Sequence, residues 1–436
     1  MKEKKQMHEE LYYERCAGID VHKDKLTVCL RIGRNTTIRE FDTFTSSIRD
    51  MVAWLKEKGC QMTAMESSGS YWKPVYNIFE QEELPAMVCN AYHVKNVPGR
   101  KTDKNDARWL AKCLSQGMLN PSFIPEREQR ELRDMTRFRK SQVEDRARNV
   151  NRLQKFLEGA NIKLGSWVSS VEGQSATQLL ELIIGKPDFT KEDVALRMHK
   201  NLKSTSEELF KSLEGYMTDV QREFFAHILS VIKEQSAQIE KTDAMIQRVL
   251  STNYKAAVDA IDVIPGIGRV SAEQIIAEIG TDMNQFKNQG SLCKWAGVAP
   301  GNNESAGKRK SGKTPPGNKT LKATLTQCAT VAKKNKNSFF GAQYNRLVTH
   351  LGKKRATMAV AHSMLIAIYF VLCGKEFIDL GGDYYTNFNR EKKINSHVKQ
   401  LSKLGVDIPE EILKESISAA LDDASTHRKP PENKAS

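Results

Sequence analysis

Two aspartates stand three residues apart in KTDKNDARWLAKCL, residues 101–114. If this segment is helical, Asp103 and Asp106 share one face, because side chains at positions i and i+3 of a helix are neighbours. Adjacent carboxylates repel each other, so this pair needs water, a basic side chain or a metal ion between them. Each aspartate alone has a simpler explanation. Asp103 could be an acid at a helix start, where the helix dipole favours negative charge, and Asp106 could pair with Lys101 or Arg108.

Two further acids occupy positions where the sequence predicts buried strands. Asp20 lies in AGIDVHKD, flanked by apolar residues, and Glu66 ends the strand predicted within TAMESSGS. A buried carboxylate is costly unless it is paired or binds a cation. We therefore expect all four acids to meet at one end of a sheet and to hold two divalent ions. Oxygen ligands favour Mg²⁺ or Mn²⁺ over zinc, and such an ion pair stabilises the attacking and leaving oxygens of a phosphate displacement.

The elements that would position these acids form an α/β domain in residues 1–125. The strand-like runs CAGIDVHKDKLTVCLRI and TIREFDTF come first. Helices and strands then alternate up to the helix DKNDARWLAKCLSQG, which Thr102 can cap. This order of elements is typical of an α/β domain.

After residue 125 the sequence pattern predicts two helical regions and a polar tail. Residues 126–255 contain long basic helices with narrow apolar stripes, which favour a coiled coil or helix pair joining separate protomers as dimers or tetramers. The sequence predicts a helical domain in residues 256–376. It predicts a polar tail in residues 377–436, whose end STHRKPPENKAS we expect to be disordered. The stripe positions are 132, 135, 143, 147, 150, 153 and 157, then Met217, Val220, Phe224, Ile228, Val231, Ile239, Met245 and Val249.

The charge balance favours a polyanionic partner. The chain has 436 residues, with 67 Lys and Arg against 53 Asp and Glu, and a formal net charge of +14. Phosphate neutralisation releases condensed counterions, so nucleic acid is expected before a membrane. A basic protein without such a partner is the alternative.

The cysteines and apolar runs favour a cytoplasmic protein. None of the eight cysteines forms a CxxC pair and most lie in apolar runs, so we expect buried free thiols and no zinc site. The charged N-terminus is not typical of a signal peptide. The apolar run 356–373 contains His362 and Ser363, and we expect a buried helix there rather than a membrane span.

Five motifs, in order, resemble those of transposases of the insertion sequence 110 family. They are GIDVHKDKL, ESSGSYW, KTDKNDARWLA, IPGIG and WAGVAPGNNESAGKRKSGK. The resemblance implies an N-terminal RuvC-like domain with a ribonuclease-H fold and a C-terminal transposase domain with a nucleophilic serine. It also implies Mg²⁺ or Mn²⁺, donor and target DNA, and a guide RNA called a bridge RNA. The residues it assigns are Asp20, Glu66, Asp103 and Asp106 as the Asp-Glu-Asp-Asp set and Ser305 as the nucleophile.

Ser305 has a rival in the same Gly-rich loop. Some relatives have Ser-Gly directly, whereas here Ala306 intervenes, and Ser311 precedes Gly312. The distance to the following LKATL helix suits Ser305 better. Nearby cations could bind the scissile phosphate and stabilise developing charge. They are Lys308, Arg309, Lys310 and Lys313.

The segment IPGIGRVSA resembles a helix-hairpin-helix turn. Gly266 and Gly268 could let backbone amides approach a phosphate at the N-terminus of the next helix. Simple packing of two helices is the alternative.

The sequence therefore predicts a DNA recombinase that moves its own insertion element through a covalent serine–DNA intermediate. One alternative is a metal-dependent nuclease of the junction-resolving kind, which needs no covalent step. The other is a non-catalytic nucleic-acid-binding protein. Ser305 and its domain favour the recombinase over the nuclease, and the four acids argue against a non-catalytic role. The serine loop is expected to dock onto a metal-bearing domain, which could belong to another protomer.

Overall fold

The computed structural model describes residues 12–67, 69–89, 103–199, 202–301, 303–305, 308–387 and 390–406. For residues 103–105, 303–305, 308–311, 386–387 and 390–393 the backbone alone is described. The chain divides into two compact units, Met1–Pro125 and Glu126–Ser436.

The first unit has a five-stranded mixed sheet in the order β3-β2-β1-β4-β5. Strand β1 is antiparallel to β2 and parallel to β4, and β5 is parallel to β4. The predicted α/β class is confirmed for this part of the chain. The elements are β1 (Arg15–Val21), β2 (Lys25–Ile32), β3 (Asn35–Asp42), α1 (Thr45–Glu57), β4 (Met62–Glu66), α2 (Trp72–Gln81), β5 (Ala86–Cys89) and α3 (Asp103–Ser115).

The two faces of the sheet are packed differently. Large apolar side chains such as Ile19 and Met65 meet α1 and α2 on one face. On the other face, small residues of β1 and β4 lie under α3, with Cys16 and Ala64 packed against Leu110. Alternation along each strand separates these two sets of side chains, and it assigns every second residue of β1 to the α3 side.

Helix α3 approaches β1 so closely that only glycine fits at the crossing. A Cβ atom built on Gly18 would lie 2.3 Å from the carbonyl oxygen of Ala107 and 2.4 Å from the amide nitrogen of Ala111. Both are backbone atoms, which a side-chain rotation cannot move away. Gly18 therefore sets the distance between the helix and the sheet.

The second unit is mainly helical. Its helices are α4 (Arg127–Gly159), α5 (Leu164–Trp167), α6 (Gln174–Gly185), α7 (Lys191–Ala195), α8 (Ser206–Leu213), α9 (Asp219–Asn253), α10 (Lys255–Asp262), α11 (Arg269–Ile279), α12 (Gln289–Ala296), α13 (Lys319–Ala332), α14 (Phe339–Leu351), α15 (Lys353–Leu372), α16 (Tyr384–Asn387) and α17 (Arg390–Lys403). A 3₁₀ turn spans Met283–Gln285, and a two-stranded sheet consists of β6 (Asn303–Ser305) and β7 (Lys308–Ser311).

The long helices α4 and α9 pack against each other within one chain. The apolar stripe predicted on α9 lies beside the face of this helix that is buried. Val220, Phe224 and Met245 are exposed, because α4 and the short helices cover the neighbouring face. Self-association of protomers through these helices stays a prediction. The buried residues of α9 are Phe225, Leu229, Ile232, Thr242, Ile246 and Leu250.

Helix α15 is long and apolar enough to cross a membrane by length and composition alone. Within the described residues it packs against α10, α12, α13 and α14. One side of it, which includes Val360, Met364 and Ile368, is fully buried by these neighbours. This packing is that of the core helix expected from the sequence.

The first part of the polar tail that begins at residue 377 packs on the helical domain. Phe377 stacks on Phe340 and Tyr385 stacks on Phe339, with ring centroids 6.3 and 5.5 Å apart. Asp379 also accepts a hydrogen bond of 2.8 Å from the backbone N–H of Phe339. Aromatic side chains thus attach this segment to the start of α14, and residues 407–436 lie outside the described part of the chain.

Replacing Gly18 with alanine should lower the free energy of unfolding of the first unit by about 1–3 kcal/mol, because the new methyl group overpacks a backbone contact. Faster amide exchange in α3 and a lower unfolding temperature would report this effect. The control is Gly185→Ala, where the added Cβ meets no atom within 4 Å, so that stability should change by less than about 1 kcal/mol. Unchanged exchange in α3 of the Gly18→Ala protein would contradict the proposed constraint.

Candidate functional site

Asp20 and Glu66 end neighbouring parallel strands at the same edge of the sheet. The register pairs Ile19 with Met65, so the two acids stand one position further along β1 and β4. Both follow Gly18 and Ala64 by two residues, which assigns their side chains to the face covered by α3. The strands therefore bring these two predicted site residues together.

Helix α3 runs antiparallel to β1, and this direction places its first turn at the same edge. Its last residue, Ser115, accepts a hydrogen bond of 2.8 Å from the backbone N–H of Tyr12, which precedes β1. The Cys16 thiol donates to the carbonyl oxygen of Ala111 at 3.4 Å, and Gly18 lies beneath Ala107. The helix start, which carries Asp103 and Asp106, is consequently at the carboxyl end of β1.

The described side chains of the acids differ in their surroundings. Asp106 is partly buried, and the side chain of Asp103 lies outside the described residues. Asp20 is paired with His22, whose Nε2 lies 3.1 Å from Asp20 Oδ2. His22 is not among the site residues expected from the sequence, although its position two residues after the strand acid was a usable signal.

Glu66 lies near a buried thiol on the next strand. Burial raises the pKa of Cys89 to about 12, and the charges of Cys113 and Glu66 add to this rise. Cys89 is the register partner of Glu66 on β5. Seven of the eight cysteines are buried and free, as the sequence predicts, so they belong to the core.

Carboxylate oxygens at this edge are the donor type that suits Mg²⁺ or Mn²⁺. Among the residues whose side chains are described, no three His, Cys, Asp or Glu form a group that could hold a metal ion. Asp103 is not among these residues, because its side chain is not described. The four-acid metal site accordingly stays a prediction, with the strand register and the direction of α3 in its favour.

Ser305 lies in a β-hairpin, whereas the sequence predicts a Gly-rich loop there. Ser305 is the last residue of β6 and pairs with Lys308, the first residue of β7. The rival Ser311 pairs with Asn303 at the opposite end of the hairpin. The side chains of both serines, and of Lys308, Arg309 and Lys310, lie outside the described residues, whereas Lys313 is exposed.

Close backbone contacts bring the two chain segments that flank this hairpin together. A Cβ atom on Gly301 would lie 2.1 Å from the carbonyl oxygen of Lys313, and one on Gly317 would lie 2.4 Å from the amide nitrogen of Gly297. The Gly297 backbone has a φ of +74°, which favours glycine. The base of the hairpin is therefore a tightly packed structure.

The predicted helix-hairpin-helix turn connects α10 with α11. Gly266 has a φ of +90°, and a Cβ there would lie 2.6 Å from both the Cβ of Ala332 and the carbonyl oxygen of Cys328. Packing against α13 accounts for Gly266, as the alternative from the sequence anticipated. Gly268 precedes the first residue of α11 and a Cβ there would meet no atom within 4 Å, so a phosphate contact at Gly268 stays a prediction.

Comparison with known proteins gives matches to both units. Residues 17–162 match a transposase model of the DEDD type named after IS110, and residues 258–345 match the model of the "Transposase IS116/IS110/IS902 family". The chain is 22% identical to the "Transposase for insertion sequence element IS1111A" of Coxiella burnetii over 366 residues, which are 82% of this chain and 90% of that protein. It is 23% identical to the "Probable family 20 transposase" of Pseudomonas aeruginosa over 298 residues, which are 68% of this chain and 73% of that protein.

The two family matches lie in the same order as the two predicted catalytic regions. The first contains Asp20, Glu66, Asp103 and Asp106, and the second contains Ser305. Together they span more than half of the chain, which belongs to the IS110 family of insertion-sequence transposases.

Proposed function

We propose that this transposase is a DNA recombinase that cuts and rejoins donor and target DNA, guided by a bridge RNA. The observation that carries the proposal is the meeting of two strand acids with the start of an acid-bearing helix at one edge of the sheet. The strand order β3-β2-β1-β4-β5, with β1 central, supports a RuvC-like ribonuclease-H fold for this unit. The excess of basic residues supports nucleic acid partners.

The four acids would hold the divalent ions of the first catalytic centre. Asp20 and Glu66 come from neighbouring strands, and Asp103 and Asp106 come from the first turn of α3. Bound Mg²⁺ or Mn²⁺ would supply charge stabilisation to the oxygens of a reacting phosphodiester. His22, which is paired with Asp20, would orient that carboxylate through its imidazole.

Ser305 would supply the nucleophile of the recombination step. Its hydroxyl oxygen attacks phosphorus, the bond from phosphorus to the leaving deoxyribose oxygen breaks, and the hydroxyl proton passes to a base. The leaving oxygen takes up a proton, and a serine–DNA phosphodiester results. Reversal of this exchange by another DNA end releases the serine, so rejoining needs no external energy source.

The surroundings of Ser305 in sequence indicate that activation comes from elsewhere. A serine hydroxyl needs a base or a metal to become a good nucleophile at neutral pH. Residues 303–311 contain no histidine, and Glu304 is their only carboxylate. We infer that the hairpin docks onto a metal-bearing unit, supplied by the same chain or by another protomer of a dimer or tetramer.

Replacing Asp20, Glu66 or Asp106 singly with alanine should abolish DNA strand cleavage and leave the fold intact. Each change removes one ligand from a cage whose remaining carboxylates still repel each other. Cleavage assays with Mg²⁺ would test the loss of activity, Mn²⁺ titration by electron paramagnetic resonance would test the loss of a ligand, and a thermal unfolding curve would test the fold. Asp50→Asn is the control, because Asp50 is exposed on α1 at the other face of the sheet. Full cleavage by one of the three variants would remove that residue from the proposed site.

The Ser305→Ala protein should bind DNA normally and form no covalent adduct, whereas Ser311→Ala should keep adduct formation. Mass spectrometry of a trapped, nuclease-trimmed complex would locate the attached nucleotide. An adduct on Ser311 would reassign the nucleophile. Cleavage without any adduct would instead favour the junction-resolving nuclease.

Replacing Lys308, Arg309 and Lys310 together with alanine should weaken DNA binding across all sequences. Each lost phosphate contact removes about 0.9 from the slope of log K against log salt concentration, so the triple variant should lose up to about 2.7. The charge-matched control replaces Lys191 on α7, Lys211 on α8 and Lys203 between these two helices. Equal slopes for the two triple variants would show that the hairpin cations do not touch phosphate.

A further inference from the structure

A fully buried carboxylate lies near the end of α11 and is held by two arginines of α4. Glu278 has no exposed side-chain surface. Arg137 donates two hydrogen bonds to it, from Nε to Oε1 at 2.7 Å and from Nη2 to Oε2 at 2.8 Å. The Nε of Arg133 lies 3.4 Å from Glu278 Oε2. Charge pairing of this kind holds Glu278 in one position relative to α4.

Glu278 also accepts a hydrogen bond from the segment that follows the serine hairpin. The side-chain amide of Asn318 donates from Nδ2 to Glu278 Oε2 at 2.6 Å. The Oδ1 of the same amide accepts a bond of 3.0 Å from the backbone N–H of Leu321, which caps α13. One asparagine thus performs two separable tasks, a helix cap and a link to the buried carboxylate.

The link continues from Asn318 into the base of the hairpin through backbone contacts. The N–H of Asn318 donates to the carbonyl oxygen of Trp295 at 3.1 Å. The neighbouring Gly317 packs on Gly297, and Gly301 packs on Lys313, with no room for a side chain at Gly317 or Gly301. A displacement of Asn318 would therefore be transmitted to both chain segments that flank the hairpin at its base.

We propose that Asn318 is a positioning residue for Ser305. Its bond to Glu278 fixes the base of the hairpin relative to α4 and α11, and thereby fixes where β6 ends and presents the serine. This inference rests on the proposed function of Ser305 as the nucleophile. Reaction rates depend steeply on such placement, since a displacement of about 1 Å can cost about 100-fold.

The test is the Asn318→Ser protein, in which the two tasks of the asparagine are separated. Serine is a good N-cap, so α13 keeps its cap, but its side chain is too short to reach Glu278. The expected result is a single-turnover rate of adduct formation about 10- to 100-fold below wild type at saturating DNA. The DNA concentration that gives half-saturation should not change.

The matched control is Asn288→Ser, the same replacement at the cap of α12. Asn288 Oδ1 accepts a bond of 2.9 Å from the backbone N–H of Ser291. The control should keep the wild-type rate, and both variants should remain fully folded at the assay temperature. Asn318→Asp is a second variant that also keeps the cap, but it sets a second carboxylate against Glu278, and it should slow the reaction at least as much.

Three outcomes would overturn the inference or its premise, and they differ from one another. A wild-type rate in both Asn318 variants, with no adduct in Ser305→Ala, would overturn the positioning role alone. Equal slowing in Asn288→Ser would assign the effect to helix capping and overturn it as well. An adduct in Ser305→Ala at the wild-type rate would overturn the proposed function itself.

Discussion

The absence of a side chain at Gly18 sets the distance between α3 and β1, and the placement of the helix acids beside the strand acids depends on that distance. A strand advances about 3.3 Å per residue, so Asp20 lies about 6.6 Å beyond Gly18 along β1. A helix advances about 1.5 Å per residue, so Asp103 lies about 6 Å before Ala107 along α3. Because Ala107 lies directly over Gly18 and the elements are antiparallel, the helix start comes level with the strand acid. A wider helix–sheet spacing would move the helix acids away from the strand acids.

In the second unit, the position of the serine hairpin depends, in our proposal, on the buried carboxylate of Glu278, which Asn318 links to the base of the hairpin. Burial lowers the pKa of Arg133 to about 10, despite the opposing charge of Glu278. Burial alone would also lower the pKa of Arg137. The hydrogen bonds and the charge of Glu278 outweigh burial there, so the pKa of Arg137 is raised. Removing one member of a buried ion pair typically costs about 3–5 kcal/mol, because the other charge stays unpaired. The long helix α4 and the region around the hairpin are therefore linked through this buried cluster.

The sequence predicted the features that local patterns encode and missed those that depend on distant partners. Alternating apolar residues around Asp20 and Glu66 were enough to predict buried strands and the shared edge. The hairpin was missed because β7, with the sequence KRKS, has no apolar alternation. On α9, two apolar stripes lie side by side, and only the position of α4 decides that Phe225 is buried while Phe224 is exposed. The pairing of Arg137 with Glu278 spans 141 residues and has no local signal at all.

The separation of the two predicted catalytic groups into different units has a chemical consequence. Residues 303–311 offer the proposed nucleophile no base other than Glu304, whereas the proposed metal-binding acids include no nucleophile. With the acids alone, water would be the nucleophile, and hydrolysis would discard the phosphodiester energy needed for rejoining. With the serine alone, the hydroxyl would stay protonated and unreactive. If Ser305 and the acids act as proposed, conservation of the phosphodiester energy needs both groups in the same reaction, so cutting would depend on assembly of the complex in which the broken ends are rejoined.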